Sequence, residues 1–251
     1  MTAVTRVAFV SDIHGNLPAL EVVLEELARR EPFDRVVGGG DYATGGLFPK
    51  ECIDRVRDRD WDFVRGNADE WLVEIATEGE IPAQGWVPEV APDEKSKEVM
   101  RWNVEYLDPD SVSFLAGLPI EWSVNGPSGQ KLVFVHATPD STHLGYPPDA
   151  SEDIFLPMFE QTGADVLLHG HIHHAYVRTI GELTLGCVGS VGLPFDRDAR
   201  ACFAIATDDG TGWRVEHIRV PYDREAYLTG VMESTMPNAD EYAAKVRSAE
   251  R

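Results

Sequence analysis

Cysteine is scarce in this sequence: Cys52, Cys187 and Cys202 are the only three among 251 residues. Three scattered thiols form neither a disulfide framework nor a cysteine-based zinc site, so a reducing cytoplasm is the expected setting. Long apolar runs are missing as well. No stretch approaches the roughly 20 residues that span a bilayer. The opening Met1–Arg6 runs straight into a strand-like Val7-Ala8-Phe9-Val10, without the charged and apolar regions of a secretory signal. Positive charge is the third shortage. Twenty-two Lys and Arg stand against 43 Asp and Glu, a formal net charge of −21. A field of that sign repels polyanions, lacks the basic footprint of a nucleic-acid binder and disfavours docking on anionic membranes. A phosphate-bearing substrate would have to meet positive charge concentrated locally, and bound metal ions are an obvious source.

What is present is an ordinary globular composition, 43% hydrophobic and 26% charged, in a length that buries a full core as one domain over 1–251. The first half alternates strand and helix. Val7–Ser11 is a short apolar run; Asn16 is suited to cap a helix with Pro18 in its first turn, and Leu17, Leu20, Val23, Leu24 and Leu27 recur at helical spacing. Val36-Val37 leads into three glycines, Pro49–Arg59 has helical character, and Trp61–Val64 is a third strand. Such βαβ units imply a largely parallel sheet. The pattern breaks over Glu78–Pro92, read as a loop, and two helical segments follow near Asp93–Tyr106 and Pro109–Gly117. Residues 70–118 therefore read as a mostly helical insertion or cap. The second half is strand-rich: Ile120–Val124, Lys131–His136, Val166–His169, Ala175–Ile180, Leu183–Gly186, Ala201–Ala206 and Trp213–Arg219, with a helix at 151–162. Residues 238–251 read as a surface helix or frayed tail.

Five short motifs each follow an apolar strand: Asp12-Ile13-His14, Gly40-Asp41, Gly66-Asn67, His136, and Gly170-His171-Ile172-His173. In open α/β sheets, ligands bind beyond the carboxyl ends of strands, where these groups can converge. Asp, His and Asn side chains together suit divalent ions such as zinc, manganese, iron or nickel. The i, i+2 spacing of the D-x-H and H-x-H pairs puts both side chains on one side of an extended segment, and a carboxylate such as Asp41 has two oxygens with which to bridge two ions. Singly, each motif is weak, because a strand-end histidine or a loop aspartate is more often structural. Their order and placement together carry the reading. Gly38-Gly39-Gly40 lacks the spacing of a dinucleotide fingerprint and reads instead as close backbone approach beside Asp41.

The ordered series DIHGN (Asp12–Asn16), GD (Gly40-Asp41), RGN (Arg65–Asn67), VH (Val135-His136) and GHIH (Gly170–His173) resembles the calcineurin-like metallophosphoesterase superfamily, and within it the small YfcE-like phosphodiesterase group. The resemblance runs from about Val7 to Phe195; beyond about residue 200 only generic strands remain. It implies an α/β (α+β) fold, a four-layer sandwich of two mixed β-sheets flanked by helices. It further implies that Asp12, His14 and His173 hold one divalent metal, that Asn67, His136 and His171 hold the other, and that Asp41 bridges. Two ions about 3.5–4 Å apart would clamp the phosphoryl oxygens and acidify a shared water. The resulting hydroxide would attack phosphorus in line, in a small phosphate-ester substrate. The sequence offers no protein nucleophile, and it sets no oligomeric state.

One departure from the family pattern stands out. Many members carry His after the Gly-Asn pair to manage the leaving-group proton; here the residue is Ala68. General acid catalysis is worth about 10²–10⁴-fold, so its absence points to substrates whose leaving groups need little protonation: phosphodiesters, aryl esters or anhydrides. Asp69 then reads as a helix-start carboxylate. Arg65 is a candidate phosphate contact, with a structural ion pair as the alternative. His169 reads as a buried strand-end residue, and His143 as a loop histidine within conceivable reach of the site. Competing functions are a phosphoprotein or small-molecule phosphomonoesterase, and a weakly catalytic interaction scaffold, against which the seven intact ligand positions argue.

Overall fold

The computed structural model describes residues 4–81 and 92–251. Its layering follows from alternation along the first strand, β1 (Thr5–Val10). Val7 and Phe9 face one side and Ala8 and Val10 the other, and all four are fully buried. A strand covered on both faces reads as a continuous apolar run, as this one does. The side bearing Ala8 and Val10 packs on α1 (Leu17–Arg30), which presents Leu20, Val23, Leu24 and Leu27 at the expected helical spacing. Asn16 caps that helix, its side chain accepting from the Ala19 N–H at 3.2 Å.

The elements that follow are β2 (Arg35–Gly38), α2 (Pro49–Arg57), β3 (Asp62–Phe63), α3 (Asn67–Glu78), α4 (Glu94–Val104), α5 (Pro109–Ala116), β4 (Glu121–Asn125) and β5 (Lys131–Val135). The chain continues with α6 (Glu152–Thr162), β6 (Val166–His169), β7 (Tyr176–Ile180), β8 (Leu183–Cys187), β9 (Ala201–Asp208), β10 (Trp213–Val220), α7 (Arg224–Glu233) and α8 (Ala239–Ser248). They form two five-stranded sheets, ordered β10-β9-β1-β2-β3 and β4-β5-β6-β8-β7. Both are mixed. The parallel trio β1-β2-β3 is extended by antiparallel β9 and β10, and the parallel trio β5-β6-β8 is flanked by antiparallel β4 and β7. The βαβ pattern thus describes one side of the first sheet and the middle of the second, and hairpin strands supply the antiparallel remainder.

The sheets stack face to face through Val7, Phe9, Val37 and Val64 on one side and Leu132, Phe134, Val166 and Leu168 on the other. The rings of Phe9 and Phe134 stack across this layer at 5.2 Å. Outside the second sheet, Val133, Val135 and Leu167 meet Phe155 and Phe159 of α6. The result is the helix–sheet–sheet–helix sandwich that the family resemblance implied.

Helices α4 and α5 begin one residue after the carboxylates that cap them, Asp93 accepting from Ser96 and Asp108 from Ser111, each at 2.8 Å. The loop expected over Glu78–Pro92 falls largely outside the described residues. Of the two alternatives for the C-terminal segment, it is the helix: α8 buries Tyr242, Ala243 and Val246 against Tyr227, Leu228 and Val231 of α7, a helix the sequence pattern did not reveal. Among the described residues no helix is long and apolar enough to cross a membrane.

Candidate metal centre

Asp12 follows β1, Asp41 follows β2 and Asn67 opens α3 just after β3; His136 follows β5, and His171 and His173 follow β6. All seven candidate ligands converge. In one half, His173 Nε2 lies 3.1 Å from Asp12 Oδ1 and 3.1 Å from His14 Nε2. In the other, Asn67 Oδ1 lies 2.8 Å from His171 Nδ1 and 3.1 Å from His136 Nε2. Asp41 Oδ2 faces both halves, 3.6 Å from His14 Nε2 and 3.5 Å from His136 Nε2. Asp12, His14, Asp41 and His173 offer ligand atoms within 4.8 Å of one another, all on buried residues.

The backbone is bent to achieve this. Asp12, His14, Asp41, His171 and His173 all have φ between 50° and 63°, the left-handed region that non-glycine residues rarely occupy. Neighbouring glycines make the close packing possible. A Cβ on Gly66 would lie 2.1 Å from Asp41 Oδ1, and one on Gly170 would lie 2.6 Å from Asp12 Oδ2. The glycine in each of the Gly-Asn and Gly-His motifs is therefore a steric requirement of the carboxylate beside it. Asp69 holds the Asp41 turn directly: its carboxylate accepts from the backbone N–H groups of Gly66 (2.8 Å), Asp41 (2.9 Å) and Tyr42 (3.1 Å). It is the helix-start carboxylate that the sequence suggested, and it also splints a ligand loop.

Three of the four imidazoles are oriented from behind; the fourth, His171, turns its Nδ1 to Asn67 Oδ1. His14 Nδ1 donates to the Thr44 carbonyl at 2.8 Å, His136 Nδ1 to that of Gly39 at 2.8 Å and His173 Nδ1 to that of Leu193 at 2.6 Å. Those bonds assign the proton to Nδ1 and turn the Nε2 lone pair inward, the arrangement in which histidines bind metals. Asp12 is anchored in turn: Ser11 Oγ donates to Oδ2 at 2.7 Å and the His171 N–H lies 3.2 Å from both oxygens.

Electrostatics sets these groups apart. Burial alone would lift the Asp12 and Asp41 carboxyls, but His173 beside Asp12 and His136 beside Asp41 pull both below their ordinary value. Burial pushes His14 down, helped by His173, and takes His171 down to about 3, helped by the charge of His136. His136 goes the other way. Burial would lower it, yet the adjacent Asp41 carboxylate, through charge and hydrogen bonding, raises it to about 10.

Five candidate ligands, His14, Asp41, Asn67, His171 and His173, line a cavity of about 830 Å³. Ala68 and Trp71 of α3, His143 and Tyr146 of the loop between β5 and α6, Val99 and Met100 of α4, and Tyr242 and Lys245 of α8 also line it. Helices α4 and α8 are joined there by Lys95 Nζ donating to Glu241 Oε2 at 2.7 Å. The contribution of α8 was missed from sequence, because Tyr242 and Lys245 lie far along the chain from every motif. Arg65 is not on the cavity wall. Its Nε lies 3.1 Å from Glu70 Oε1, which is the ion-pair alternative rather than a phosphate contact. His169 is buried at its strand end, bonded to Tyr176 Oη at 2.9 Å.

A family model described as the calcineurin-like phosphoesterase superfamily domain matches residues 5–210. The chain belongs to the calcineurin-like phosphoesterase superfamily. It is 26% identical, over 93% of its own length and 94% of the other's, to an uncharacterised protein of Methanocaldococcus jannaschii. Among solved structures, a hypothetical protein of Pyrococcus horikoshii superposes with a TM-score of 0.79 at 20% identity, covering 96% of this chain and 97% of that one. A metallophosphoesterase of Sphaerobacter thermophilus superposes with a TM-score of 0.72 at 22% identity, covering 98% and 99%. These likenesses in fold extend through the C-terminal helices, well past the stretch that the motifs define.

The residues fit the divalent metals that this superfamily uses. His14 and His173 both spend their Nδ1 protons on carbonyls, so two lone pairs face each other across 3.1 Å. Acceptors held so close in a buried site require positive charge between or beside them. In the other half, His136 Nε2 lies 3.1 Å from Asn67 Oδ1 and 3.5 Å from Asp41 Oδ2, a second cluster of inward-facing acceptors. A donor set of imidazoles, carboxylates and one amide suits borderline and hard divalent ions.

Proposed function

We propose that this calcineurin-like phosphoesterase binds two divalent cations and hydrolyses small phosphodiesters or similarly activated phosphate esters and anhydrides. The observation that carries the reading is the convergence of seven ligand side chains in two groups about a shared Asp41 carboxylate, open to a cavity on one side. Asp12, His14 and His173 would hold one ion, and Asn67, His136 and His171 the other. Manganese, zinc, iron and nickel all suit this donor set. Cations bound there would supply the charge that polarises a phosphoryl group and acidifies a water molecule.

The chain's own residues define the rest. Nδ1 bonds to Thr44, Gly39 and Leu193 fix the rings, so no reorientation is needed when a substrate arrives. Ala68 lines the cavity where a proton donor to the leaving group would otherwise stand, and Asp69 is committed to backbone N–H groups. Leaving groups that depart without protonation are favoured on that ground. A cavity of about 830 Å³ closed on one side by α4 and α8 matches a small organic phosphate, and the net charge of −21 disfavours nucleic-acid polymers and anionic membranes. Three free, buried cysteines agree with a reducing, cytoplasmic setting.

The test is metal-stripped protein reconstituted separately with Mn²⁺, Zn²⁺, Ni²⁺ and Mg²⁺ and assayed on bis(p-nitrophenyl) phosphate, p-nitrophenyl phosphate and an alkyl phosphomonoester. Turnover that depends on the metal and is faster on the aryl diester than on the alkyl monoester is expected. Equal rates on the two would remove the substrate preference. Inactivity with every metal would remove the enzymatic reading.

A further inference from the structure

The Thr44-Gly45-Gly46 turn is the backing of His14, because the Thr44 carbonyl accepts its Nδ1 proton. Thr44 Oγ1 donates to the Ala68 carbonyl at 3.4 Å, but the two glycines that follow have no side chain with which to hold the turn. Gly45 has φ of +101°, and a Cβ on Gly46 would lie 2.2 Å from the His14 carbonyl oxygen, so the path demands two residues without side chains. Glycine pairs are free to rearrange. What fixes them comes from a distant part of the chain. Asn103, fully buried near the end of α4, accepts the Gly45 N–H on Oδ1 at 2.9 Å and donates Nδ2 to the Gly46 carbonyl at 3.0 Å. One amide thus meets the donor and the acceptor of consecutive residues with matched polarity, which neither Asp nor an apolar residue reproduces.

We infer that Asn103 is a positioning residue for the first half of the metal site: it clamps the diglycine turn, which holds the Thr44 carbonyl, which sets the tautomer and direction of His14. It touches neither the cations nor the substrate. Helix α4 thereby serves two purposes, lining the cavity through Val99 and Met100 and steadying His14 through Asn103. The other half is steadied elsewhere, with Ser11 Oγ donating to the Gly39 carbonyl at 3.0 Å. His136 directly follows β5 and leans on the Gly39 carbonyl, while Asn67 belongs to α3.

The inference rests on the cation-binding reading above and is tested by binding rather than by turnover. Mn²⁺ is titrated calorimetrically into metal-stripped full-length protein, wild type and three variants. Asn103→Asp keeps shape and the Gly45 bond but sets an anion against the Gly46 carbonyl. Asn103→Ala removes both bonds. Asp93→Ala removes the N-cap of α4 without touching the turn, and so reports what loosening the helix does by itself. The expected result is two binding events in the wild type, one of which weakens about tenfold in both Asn103 variants while the other stays within twofold. Asp93→Ala is expected to lower Tm and to leave both affinities in place. Should Asn103→Ala fail to fold, Asn103→Asp alone decides.

Unchanged affinities in Asn103→Asp would overturn the inference while leaving the cation-binding reading intact. So would equal weakening of both events, or the same weakening in Asp93→Ala, since either would make Asn103 an ordinary structural residue. A wild type that binds no Mn²⁺ overturns the inference together with the reading beneath it.

Discussion

Asp12, His14 and His173 sit on left-handed backbone; loop carbonyls hold the two imidazoles from behind, Thr44 for His14 and Leu193 for His173, and Ser11 Oγ donates to Asp12. In the other half, Asn67 lies in the first turn of α3 and His136 directly follows β5, with only His171 on left-handed backbone. The first half is thus assembled from turns that other parts of the chain must steady, including the 189–195 loop, where Ser190 Oγ donates to the Asp12 carbonyl at 2.8 Å. The second half grows out of regular secondary structure. Charge does not follow the same division: burial lowers His14 in the first half and His171 in the second, while His136, against Asp41, is raised to about 10. Asp41 is the one group both halves share.

That contrast is broken most directly at the shared residue. Asp41→Ala removes a ligand from each half. Losing several kcal/mol of charge stabilisation corresponds to about a 10³-fold or greater fall in kcat/KM. A loss under tenfold in a steady-state assay would mean that Asp41 is not shared. A comparison of glycines sharpens the contrast next. Gly66→Ala drives a Cβ to 2.1 Å from Asp41 Oδ1, an overpacking expected to cost about 1–3 kcal/mol and to displace the carboxylate. Gly45→Ala meets nothing nearer than 3.7 Å and carries only the strain of its φ, about 1–2 kcal/mol. Chemical denaturation should rank Gly66→Ala as the more damaging; the reverse order would mean the turn is the stiffer element.

Asp69→Asn comes next in size. One carboxylate oxygen that accepts backbone N–H becomes an NH₂ group facing a donor, a mismatch worth about 1–3 kcal/mol. The loss should appear in both Tm and divalent-cation affinity, because the same carboxylate splints Asp41; a change in Tm alone would detach it from the site. The smallest effect is a titration. His143, beside Trp71 at 5.2 Å between ring centres, is pushed down by burial to about 4. A histidine near 6.5 when unfolded and near 4 when folded contributes stability that is complete above about 6.5 and is lost as pH falls toward 4. A ¹H–¹³C NMR titration should place its midpoint well below 6, and a midpoint near 6.5 would mean that its pocket is open to water.

The seven candidate ligands could be picked out in the sequence because each is a chemically distinctive residue at the end of an apolar strand, and β6 begins and ends where its pattern did. Arg65 was ambiguous for a physical reason: the same guanidinium serves a phosphate or a carboxylate, and only the fold brings Glu70 beside it. Asn103 was invisible, because an asparagine within a helical run carries no mark of the turn it meets 57 residues earlier. Helix α7 was missed because its buried Tyr227, Leu228 and Val231 form too short an apolar stripe to stand out. The left-handed backbone at Asp12, His14, Asp41, His171 and His173 was likewise unreadable, since it is imposed on residues that do not favour it.

The central claim is a site for two cations built around Asp41, and equilibrium counting tests it most directly. Metal-stripped protein dialysed against Mn²⁺ and analysed for bound metal should hold two ions per chain, falling to one in His14→Ala and to none in Asp41→Ala at the same free Mn²⁺. A wild type holding no ion, or an Asp41→Ala variant that still holds two, would contradict it.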